Sequence, residues 1–562
     1  MQREDRVIGK RAWLLLAGVL MFAAIAAMRG TFGGTFIFDD YSLLALPRFF
    51  DNPLLPFWHE HVEGGLHYRP MGLALWWISE RLFGSTPWPH YLLNAALLGA
   101  VAISLWRVVA LVSAREGLAF ALALIFVVHP IATGTTAWLS NRFELLAALF
   151  GLLALGQAWR YRTLQSNSSL VAALILFACG LCAKENTVAL ISAAFVFWWW
   201  PTVARPAWFD RRQLACLWLV ALVVLWLMVR KAVLSAHGTD ALFAAKPAWL
   251  LFRDGMSAWL FKLPSYLLLI PRLGLATGIA FALGGICLMA FALRGARQNW
   301  APDRVAILSA GLAIVAVAAI VQWPRTGLVL MNLKFGSDAF LDVLAARYYF
   351  MAALGFIVVI AALSASSPRV GSGSTQRGLA WVTTGLLLIP LFAVSQHLSR
   401  SYRGATLEQA RFDRAAVDAI DQRTLPANDC QIYLLGTDSK LFGFYADPAV
   451  KALTLHLAEV SRCFIQTEIA PWYHLVAASE VERAHSAPFT PVRVGDDNLA
   501  PIVLGDGALL FVNTPPDAKP PLGSGSVFLA WQDGAFVDIG DEVRAGRRTI
   551  PFACFRPPSQ CP

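Results

Sequence analysis

Eleven long apolar stretches divide the first 396 residues, and they constrain the fold more than any other feature. A bilayer crossing needs about 17–25 mostly apolar residues. The stretches cover approximately 11–29, 89–106, 117–136, 143–159, 169–183, 187–200, 213–230, 273–293, 305–323, 347–364 and 378–396. Charged residues make up only 15% of the chain, against roughly 25% in soluble domains. The sequence therefore predicts an α-helical polytopic membrane protein with about 11 transmembrane helices.

Two parts of this pattern are irregular. The stretches 169–183 and 187–200 meet at a short polar break, which favours two short helices over one long tilted span. Residues 247–270 are also apolar, but charged side chains interrupt them. This interruption predicts a helix that lies in the membrane interface rather than crossing the bilayer.

The positive charge of the chain is confined to its apolar part. The net charge is +10, yet residues 397–562 hold 15 basic and 19 acidic residues, which gives −4 there and +14 before it. Such a distribution indicates membrane orientation, so we expect no nucleic-acid partner. With a cytoplasmic N-terminus, six short cytoplasmic loops hold 16 Lys and Arg in 66 residues, whereas loop 30–88 holds three. This positive-inside pattern, together with an odd number of spans, predicts that the segment 397–562 lies on the outer side of the membrane. The compact loops and the absence of tetratricopeptide repeats indicate a bacterial inner-membrane protein, in which that side is the periplasm.

Two domains follow from these observations. Residues 1–396 form the membrane domain, in which 30–88 is a first periplasmic loop with interfacial helices. Residues 397–562 are predicted to form a small periplasmic α+β domain, with helical spacing at 402–422. Its predicted strands are Gln431–Leu435, Ile502–Val512 and Val527–Ile539, the last folded at Gln532-Asp533-Gly534.

Cysteine positions agree with this orientation. Four cysteines lie in the C-terminal segment, and an even number suits an oxidising compartment. They are Cys430, Cys463, Cys554 and Cys561. Three pairings are open, of which Cys554–Cys561 is the local one. Cys179 and Cys182 have CxxC spacing, but their apolar surroundings favour a structural reading over a redox or metal role.

Ionisable residues collect near the predicted outer ends of the spans, where burial makes them costly. Six clusters from five stretches share this side. They are Phe38-Asp39-Asp40, His67-Tyr68-Arg69-Pro70, His129-Pro130, Asn141-Arg142-Phe143-Glu144, Lys184-Glu185-Asn186 and Arg347-Tyr348-Tyr349. Random anchoring would scatter such groups over both sides, so their shared placement favours a functional site.

Each cluster also has a structural interpretation. The acidic pair could be solvated or cap a helix, and the Tyr-Arg-Pro turn could be an interfacial anchor. His129 could mark a kinked helix end. Arg142 with Glu144, and Lys184 with Glu185, could form structural ion pairs inside a bundle. The Arg-Tyr-Tyr run fits the aromatic belt of a membrane protein.

Transfer of a group carried on a lipid phosphate would need this combination of residues. Fixed cations bind the phosphate and stabilise the charge left as it departs. A carboxylate must take a proton from the acceptor hydroxyl or amine. Asp39 or Asp40 would supply that base.

The six clusters together resemble the membrane part of the tetratricopeptide-containing transmembrane O-mannosyltransferases and their bacterial relatives. More distantly, they are similar to the protein O-mannosyltransferases and aminoarabinose transferases of the glycosyltransferase-C class. The resemblance covers roughly residues 11–396. The chain departs from the family in lacking the repeats, and Ala346 stands where an acidic residue commonly precedes the Arg-Tyr pair.

The resemblance implies an inverting transfer from a polyprenyl-phosphate-linked sugar. It makes Asp39 the preferred base, with Asp40 orienting the acceptor or the base. The predicted donor-phosphate ligands are Arg142, Lys184, Arg347 and Arg69. The predicted supporting residues are His67, His129, Glu144, Glu185 and Tyr348. The sugar and the acceptor do not follow from the resemblance; a periplasmic protein, a lipid A sugar and a surface glycan are all open.

Cofactors and other functions remain as alternatives. The sequence has no tight metal-ligand spacing, so we expect no obligatory metal, although a divalent ion at Asp39 and Asp40 beside the donor phosphate is an open alternative.

A transporter or flippase for lipid-linked sugars, or an assembly scaffold for them, would also place charge along a lipid path. A transporter should carry polar groups at mid-membrane depth and on both faces.

Overall fold

The helices that position the charged clusters are well defined in the computed structural model. It describes residues 10–37, 39–44, 52–59, 67–200, 211–234, 248–263, 283, 302–332, 338–364, 374–422, 431–435, 464–467, 474–477, 490–491, 502–504, 507–513 and 526–547. The helices are α1 Lys10–Met28, α2 Asp39–Leu44, α3 Pro70–Phe83, α4 Pro87–Ser113, α5 Glu116–Val127, α6 Pro130–Ala137, α7 Arg142–Leu164, α8 Asn167–Ala183, α9 Val188–Trp199, α10 Arg211–Val233, α11 Ala248–Ser257, α12 Pro302–Asn332, α13 Asp338–Ser364, α14 Ser374–Asp421 and α15 Gly540–Arg544.

Seven of these helices are long and apolar enough to cross a membrane, and an eighth crossing is obtained if the bent pair α5 and α6 is one span. The predicted polytopic α-helical class is confirmed by this finding. The two helices at the predicted polar break, α8 and α9, are shorter than a full span, with 17 and 12 residues. The predicted span 273–293 lies outside the described residues except at position 283.

The predicted span 117–136 is not one straight helix. It is broken between α5 and α6, which are bent by 49°. Pro130 begins α6, and it lacks the N–H that would continue the helix from α5. The structural interpretation of His129 as a kinked helix end therefore matches the geometry.

Close helix packing brings the polar ends of the membrane helices together. A Cβ added at Gly72 in α3 would stand 1.9 Å from the Phe143 ring of α7, so only glycine allows this approach. At the end of α8, a Cβ on Gly180 would stand 2.7 Å from the side chain of Thr187. These contacts fix the first turn of α7 against α3 and the end of α8 against the short turn that precedes α9.

Segment 248–263 packs against two membrane helices. Trp323 of α12 donates its indole N–H to the Phe252 carbonyl at 3.2 Å, and the Tyr349 hydroxyl of α13 donates to the Ala258 carbonyl at 2.9 Å. The turn of π-helix at Ala258–Lys262 follows α11 directly. The segment is thus a packed helix, and its predicted interfacial position stays a prediction.

The described strands of the C-terminal segment form two sheets. They are β1 Gln431–Leu435, β2 Phe464–Thr467, β3 His474–Ala477, β4 Thr490–Pro491, β5 Ile502–Leu504, β6 Gly507–Asn513, β7 Ser526–Gln532 and β8 Ala535–Asp538. One sheet has the order β2-β1-β7-β8, and the other has β3-β6-β4 with β5 also paired to β6. Strand β1 is parallel to both β2 and β7, whereas β7 and β8 form an antiparallel hairpin.

The predicted strands have different outcomes. Strand β1 and the hairpin at Asp533-Gly534 are confirmed, because Gln532 pairs with Ala535 across two residues with φ of 51° and 86°. The prediction of one strand over 502–512 is wrong. Leu504 pairs with Gly507, so β5 and β6 are two antiparallel neighbours rather than one strand.

Helix α14 runs without interruption from the membrane domain into the C-terminal segment, past the predicted boundary at 397. Its last turns join the hairpin through a shared apolar core that includes Ala416, Ile420, Leu529 and Phe536. One helix therefore spans the predicted boundary between the two domains. The four C-terminal cysteines, and hence their pairing, lie outside the described residues.

Candidate functional site

One short segment links the charged clusters. Residues 138–144 form a single 3-10 turn, Leu139–Asn141, and then the first turn of α7. Successive side chains on a helix point about 100° apart, so neighbouring residues of this segment reach different partners. The segment contacts the loop of Asp40 on one side. On its other sides it contacts the cations Arg69, Lys184 and Arg347.

The carboxylate of Asp40 is fully buried and holds the first loop against this segment. Its Oδ1 accepts a hydrogen bond from the Ser140 backbone N–H at 2.9 Å, and its Oδ2 accepts from the Ile37 N–H at 3.1 Å. Two backbone donors satisfy a buried carboxylate and fix its orientation. Asp39 begins α2 directly before it. Asp40 therefore fixes the backbone next to Asp39, and its predicted role in orienting the acceptor or the base stays a prediction.

Arg142 occupies a closed cage between three helices. Its Nε donates to Asn94 Oδ1 at 2.9 Å, its Nη1 donates to Ser79 Oγ at 2.6 Å, and its Nη2 lies 3.4 Å from His90 Nδ1. The guanidinium lies 4.2 Å above the Trp76 ring and has no solvent exposure. This geometry favours a role in fixing α3 and α4 to α7, and the predicted contact of Arg142 with the donor phosphate stays a prediction.

The tautomer of His90 follows from its second contact. Its Nε2 lies 3.1 Å from the Gly84 carbonyl oxygen, to which only a protonated nitrogen can donate. Nδ1 is then the acceptor for the Arg142 guanidinium, so the ring is neutral. The cage therefore consists of neutral acceptors around one cation, with the Asp40 carboxylate near enough to interact electrostatically.

Replacing Arg142 by Met should lower the free energy of unfolding by about 1–3 kcal/mol. Met keeps most of the side-chain volume but leaves the Asn94 and Ser79 oxygens without a donor, and a buried orphaned acceptor costs about that much. Unfolding in mixed detergent micelles would measure the effect. Arg160→Met is the matched control, because Arg160 is exposed on the same helix; equal stability of the two variants would exclude a structural cage.

The cations of the second cluster are paired with carboxylates from other helices. Arg69 donates to Glu185 through two bonds, of 2.7 and 3.1 Å, and its guanidinium lies 5.7 Å from the centroid of the Phe143 ring. Lys184 Nζ lies 2.5 Å from Glu144 Oε2. The predicted cations at positions 69 and 184 are thus brought together with both predicted supporting carboxylates.

The pair of Lys184 and Glu144 is buried, whereas the pair of Arg69 and Glu185 is partly open. The side chains of Lys184 and Glu144 are 9% and 0% exposed, against 15% and 23% for Arg69 and Glu185. Burial lowers the pKa of Lys184 to about 8, and the Glu144 carboxylate opposes this shift. The buried position and the neighbouring carboxylate therefore act on the Lys184 ammonium in opposite directions.

Arg347 is the third cation of the cluster. Its guanidinium lies 4.6 Å from the centroid of the Trp138 ring and 4.8 Å from that of Tyr348, whose hydroxyl accepts a hydrogen bond from Nη2 at 2.8 Å. Its charge acts on Lys184, as does that of Arg69. Three cations and two carboxylates therefore give this cluster a net charge of +1, and it includes the half-buried side chains of Arg69 and Arg347.

The two histidines of the predicted set have separate environments. His67 is exposed at the start of the segment before α3, and its neighbour Tyr68 donates its hydroxyl to the Phe57 carbonyl at 2.9 Å. His129 caps α6, because its Nδ1 accepts a hydrogen bond from the Ile131 N–H at 3.1 Å. The supporting roles predicted for both histidines stay predictions.

The residues that the sequence offered as structural ion pairs form their salt bridges or hydrogen bonds with other partners. Arg142 and Glu144 are two positions apart on one helix, so their side chains point in nearly opposite directions. Arg142 enters the cage, while Glu144 turns to Lys184. Likewise, Lys184 pairs with Glu144, and Glu185 pairs with Arg69.

The network is completed by residues to which sequence reasoning assigned no role; Asn186 stood in one of the six clusters, whereas Gln322 and Trp138 did not. Asn186 donates from Nδ2 to both Glu144 oxygens at 2.9 Å, and Gln322 donates from Nε2 to Asn186 Oδ1 at 2.6 Å. Trp138 supplies the face on which Arg347 lies. The sequence signal available for Gln322 was its position as a lone glutamine near the end of the apolar stretch 305–323, where a side-chain amide needs a hydrogen-bond partner.

A metal site is not evident in the part of the chain that the structure describes. Within it, no group of three or more His, Cys, Asp or Glu side chains comes close enough to hold an ion. The side chain of Asp39 lies outside the description. The expectation of no obligatory metal, and the alternative of a divalent ion at Asp39 and Asp40, both stay predictions.

Comparisons with known proteins give similar solved structures, among them two of ArnT. No family model and no curated protein sequence matches the chain. The crystal structure of ArnT from Cupriavidus metallidurans bound to undecaprenyl phosphate is similar, with 12% identity, coverage of 91% of this chain and 100% of that chain, and a TM-score of 0.42. For ArnT in the apo state these values are 14%, 92%, 100% and 0.31.

Proposed function

We propose that the protein is an inverting membrane glycosyltransferase that moves a sugar from a polyprenyl-phosphate donor to a periplasmic acceptor. The observation that carries the proposal is the cationic cluster of Arg69, Lys184 and Arg347 at one end of the membrane helices. Together with its two carboxylate partners, Glu144 and Glu185, it has a net charge of +1. The segment 138–144 joins this cluster to the loop of the Asp39-Asp40 pair.

The cluster suits a lipid phosphate that arrives along the membrane surface. Trp138 and Tyr348 cover the faces of the Arg347 guanidinium, and a stacked guanidinium keeps its N–H edge for oxygen ligands. Arg69 is fixed by its bidentate bond to Glu185 and by the Phe143 ring. The cations are thus held in place before the donor binds, which is the arrangement that stabilises a developing charge most effectively.

The chemistry assigns one step to each group. Asp39 takes the proton of the acceptor hydroxyl or amine as that atom attacks the anomeric carbon of the sugar. The bond from this carbon to the phosphate oxygen breaks, and the leaving polyprenyl phosphate gains one negative charge, which Arg347, Arg69 and Lys184 stabilise. Asp40 is a positioning residue, because its carboxylate is engaged by backbone N–H groups. A single displacement inverts the configuration at the anomeric carbon.

At the end of the helices opposite the donor cluster, two arginines have structural roles, and this favours the enzyme over a transporter. Arg304 donates to the Ala362 and Leu363 carbonyls at 3.0 and 3.2 Å, and Arg115 donates to the Ser364 carbonyl at 3.2 Å. These side chains cap the end of α13, a structural role that basic residues often fill. The polar network suited to a ligand therefore lies at the opposite end, whereas a transporter needs such groups on both faces.

The location of the protein and the compartment of its acceptor follow from the orientation of the spans. We place the protein in the bacterial inner membrane with a cytoplasmic N-terminus and a periplasmic C-terminal domain, as the loop charges predict. The donor cluster then faces the periplasm. The acceptor is a periplasmic protein, lipid A or a surface glycan, and membrane lipids surround the site.

Truncation of Arg347 to Ala should weaken donor binding by about 10- to 150-fold. A desolvated anion loses a charged hydrogen bond worth about 1.5–3 kcal/mol, and acceptor affinity should change little. Titration of a polyprenyl-phosphate sugar into protein in nanodiscs would measure this. Arg69→Ala should act in the same direction. Arg81→Ala is the control, since Arg81 is an exposed arginine in the last turn of α3; donor affinity unchanged in both site variants would remove the phosphate site.

A further inference from the structure

A second cationic site lies where α1 meets α14, apart from the donor cluster. A cavity of about 250 Å³ is lined by Arg29, Gly30, Gln396, Arg400 and Arg403. Three of these five residues are arginines and none is acidic. A cavity with this lining carries a strong positive potential.

Among the residues that the structure describes, no carboxylate pairs with the arginines of this cavity. Within the ranges that the structure describes, none of the three guanidinium groups forms a hydrogen bond or an ion pair with a protein group. The donor cluster is different, because there Arg69 and Lys184 each have a carboxylate partner. Three like charges around one cavity repel each other, and an anion bound between them would relieve that repulsion.

The cavity walls are built by close backbone contacts. Gln396 donates from Nε2 to the Ala26 and Ala27 carbonyls at 2.7 and 2.9 Å, which fixes α14 to the end of α1. A Cβ on Gly30 would stand 2.7 Å from Ser399 Cβ, so glycine permits this approach. The cations are therefore carried by two elements that are fixed relative to each other.

The surface beside the cavity is apolar toward the membrane. Phe22 of α1 is 72% exposed and Ile389 of α14 is 71% exposed. With a rise of 1.5 Å per residue, they lie about 10 and 16 Å along their helices from Arg29 and Arg400. Cations at the end of a span with exposed apolar side chains below them match a lipid that has an anionic headgroup and acyl chains.

We propose that Arg29, Arg400 and Arg403 bind a phosphate-bearing anion, and the apolar flank favours the headgroup of an anionic phospholipid as its source. The site goes beyond the glycosyl transfer and shares no residue with the donor cluster. Its occupant would join α1 to α14, the helix that also contacts the first loop through Thr406 Oγ1 and the Thr35 N–H at 3.4 Å. Binding should therefore stabilise the folded protein.

Native mass spectrometry of the purified full chain tests the lipid source, with phosphatidylglycerol and phosphatidylcholine as probes. We expect the wild type to retain phosphatidylglycerol selectively, and the triple variant Arg29→Gln, Arg400→Gln and Arg403→Gln to lose at least tenfold in that selectivity. Arg411→Gln is the matched control, because Arg411 is exposed on the same helix outside the cavity. It should bind lipid as the wild type does.

A second arm tests free phosphate as the source. Inorganic phosphate should raise the unfolding temperature of the lipid-free wild type and leave that of the triple variant unchanged, if the anion is a free phosphate rather than a lipid. The triple Arg→Lys variant keeps the charge and should retain binding, which separates loss of the site from loss of the fold. Equal binding by the wild type and the Gln variant in both arms overturns the proposal, as does an equal loss in Arg411→Gln.

Discussion

Asp39→Asn should reduce sugar transfer by about 10²- to 10⁴-fold, the usual contribution of a general base. The amide keeps the size of the side chain but cannot take the acceptor proton. Asp39 begins α2 and Asp40, not Asp39, holds the buried backbone contacts, so the unfolding temperature should stay unchanged. Transfer of a labelled sugar by purified protein in nanodiscs measures the rate.

Asp40→Asn separates positioning from catalysis. In this variant the side-chain NH2 would face the backbone N–H of Ser140 or of Ile37, each of which donates to a carboxylate oxygen in the wild type. Two donors that face each other leave a buried hydrogen bond unmade, which lowers the free energy of unfolding by about 1–3 kcal/mol. This variant should therefore lose stability as well as transfer. Glu408→Gln, which changes an exposed carboxylate on α14, serves as the neutral control. Wild-type turnover in Asp39→Asn would remove Asp39 from the mechanism, and turnover retained in Asp40→Asn as well would remove the acidic pair.

Lys184→Met should lower the free energy of unfolding by about 3–5 kcal/mol, because it leaves the fully buried Glu144 carboxylate without its cation. The double variant Lys184→Met with Glu144→Gln removes both charges. In the wild type, the Asn186 amide donates to both Glu144 oxygens. In the double variant, the side-chain oxygen of Gln at position 144 can accept the same hydrogen bond. Much of the lost stability should return in the double variant, since a buried ion pair contributes little net stability over uncharged groups.

Donor binding distinguishes the two roles of this pair. Both Lys184→Met and the double variant lack the ammonium, so both should bind the polyprenyl-phosphate donor more weakly than the wild type. Unfolding in mixed micelles and donor titration on the same three proteins give the two readouts. A double variant with restored stability and wild-type donor affinity would make the pair purely structural.

The sequence predicted which segments meet, but not which side chains pair. The positions of the apolar stretches bring Arg69, Lys184 and Arg347 to one end of the bundle, and helix topology alone dictates that. The partners depend on helix rotation, which a pattern of continuous apolar residues does not encode. For this reason the pairing of Lys184 with Glu144 was not predictable.

Arg142 illustrates a second limit. Its partners Asn94, Ser79 and His90 are isolated polar residues in helices α3 and α4, and no spacing motif connects them. In the C-terminal segment, by contrast, the hairpin at Asp533-Gly534 was predictable, because an Asp-Gly pair adopts positive φ readily. The sequence between β5 and β6 reads Gly-Asp, but the surrounding run of apolar residues favoured a single strand.

The most direct test of the central claim follows one labelled sugar. Proteoliposomes that contain the purified protein are supplied with a labelled polyprenyl-phosphate sugar and an extract of periplasmic acceptors, and the label is traced to donor, acceptor and each side of the bilayer. Glycosyl transfer predicts label covalently attached to an acceptor, release of polyprenyl phosphate, and loss of both in Asp39→Asn. Label that crosses the sealed bilayer while still attached to polyprenyl phosphate, with no labelled acceptor, would contradict the transferase and indicate a transporter.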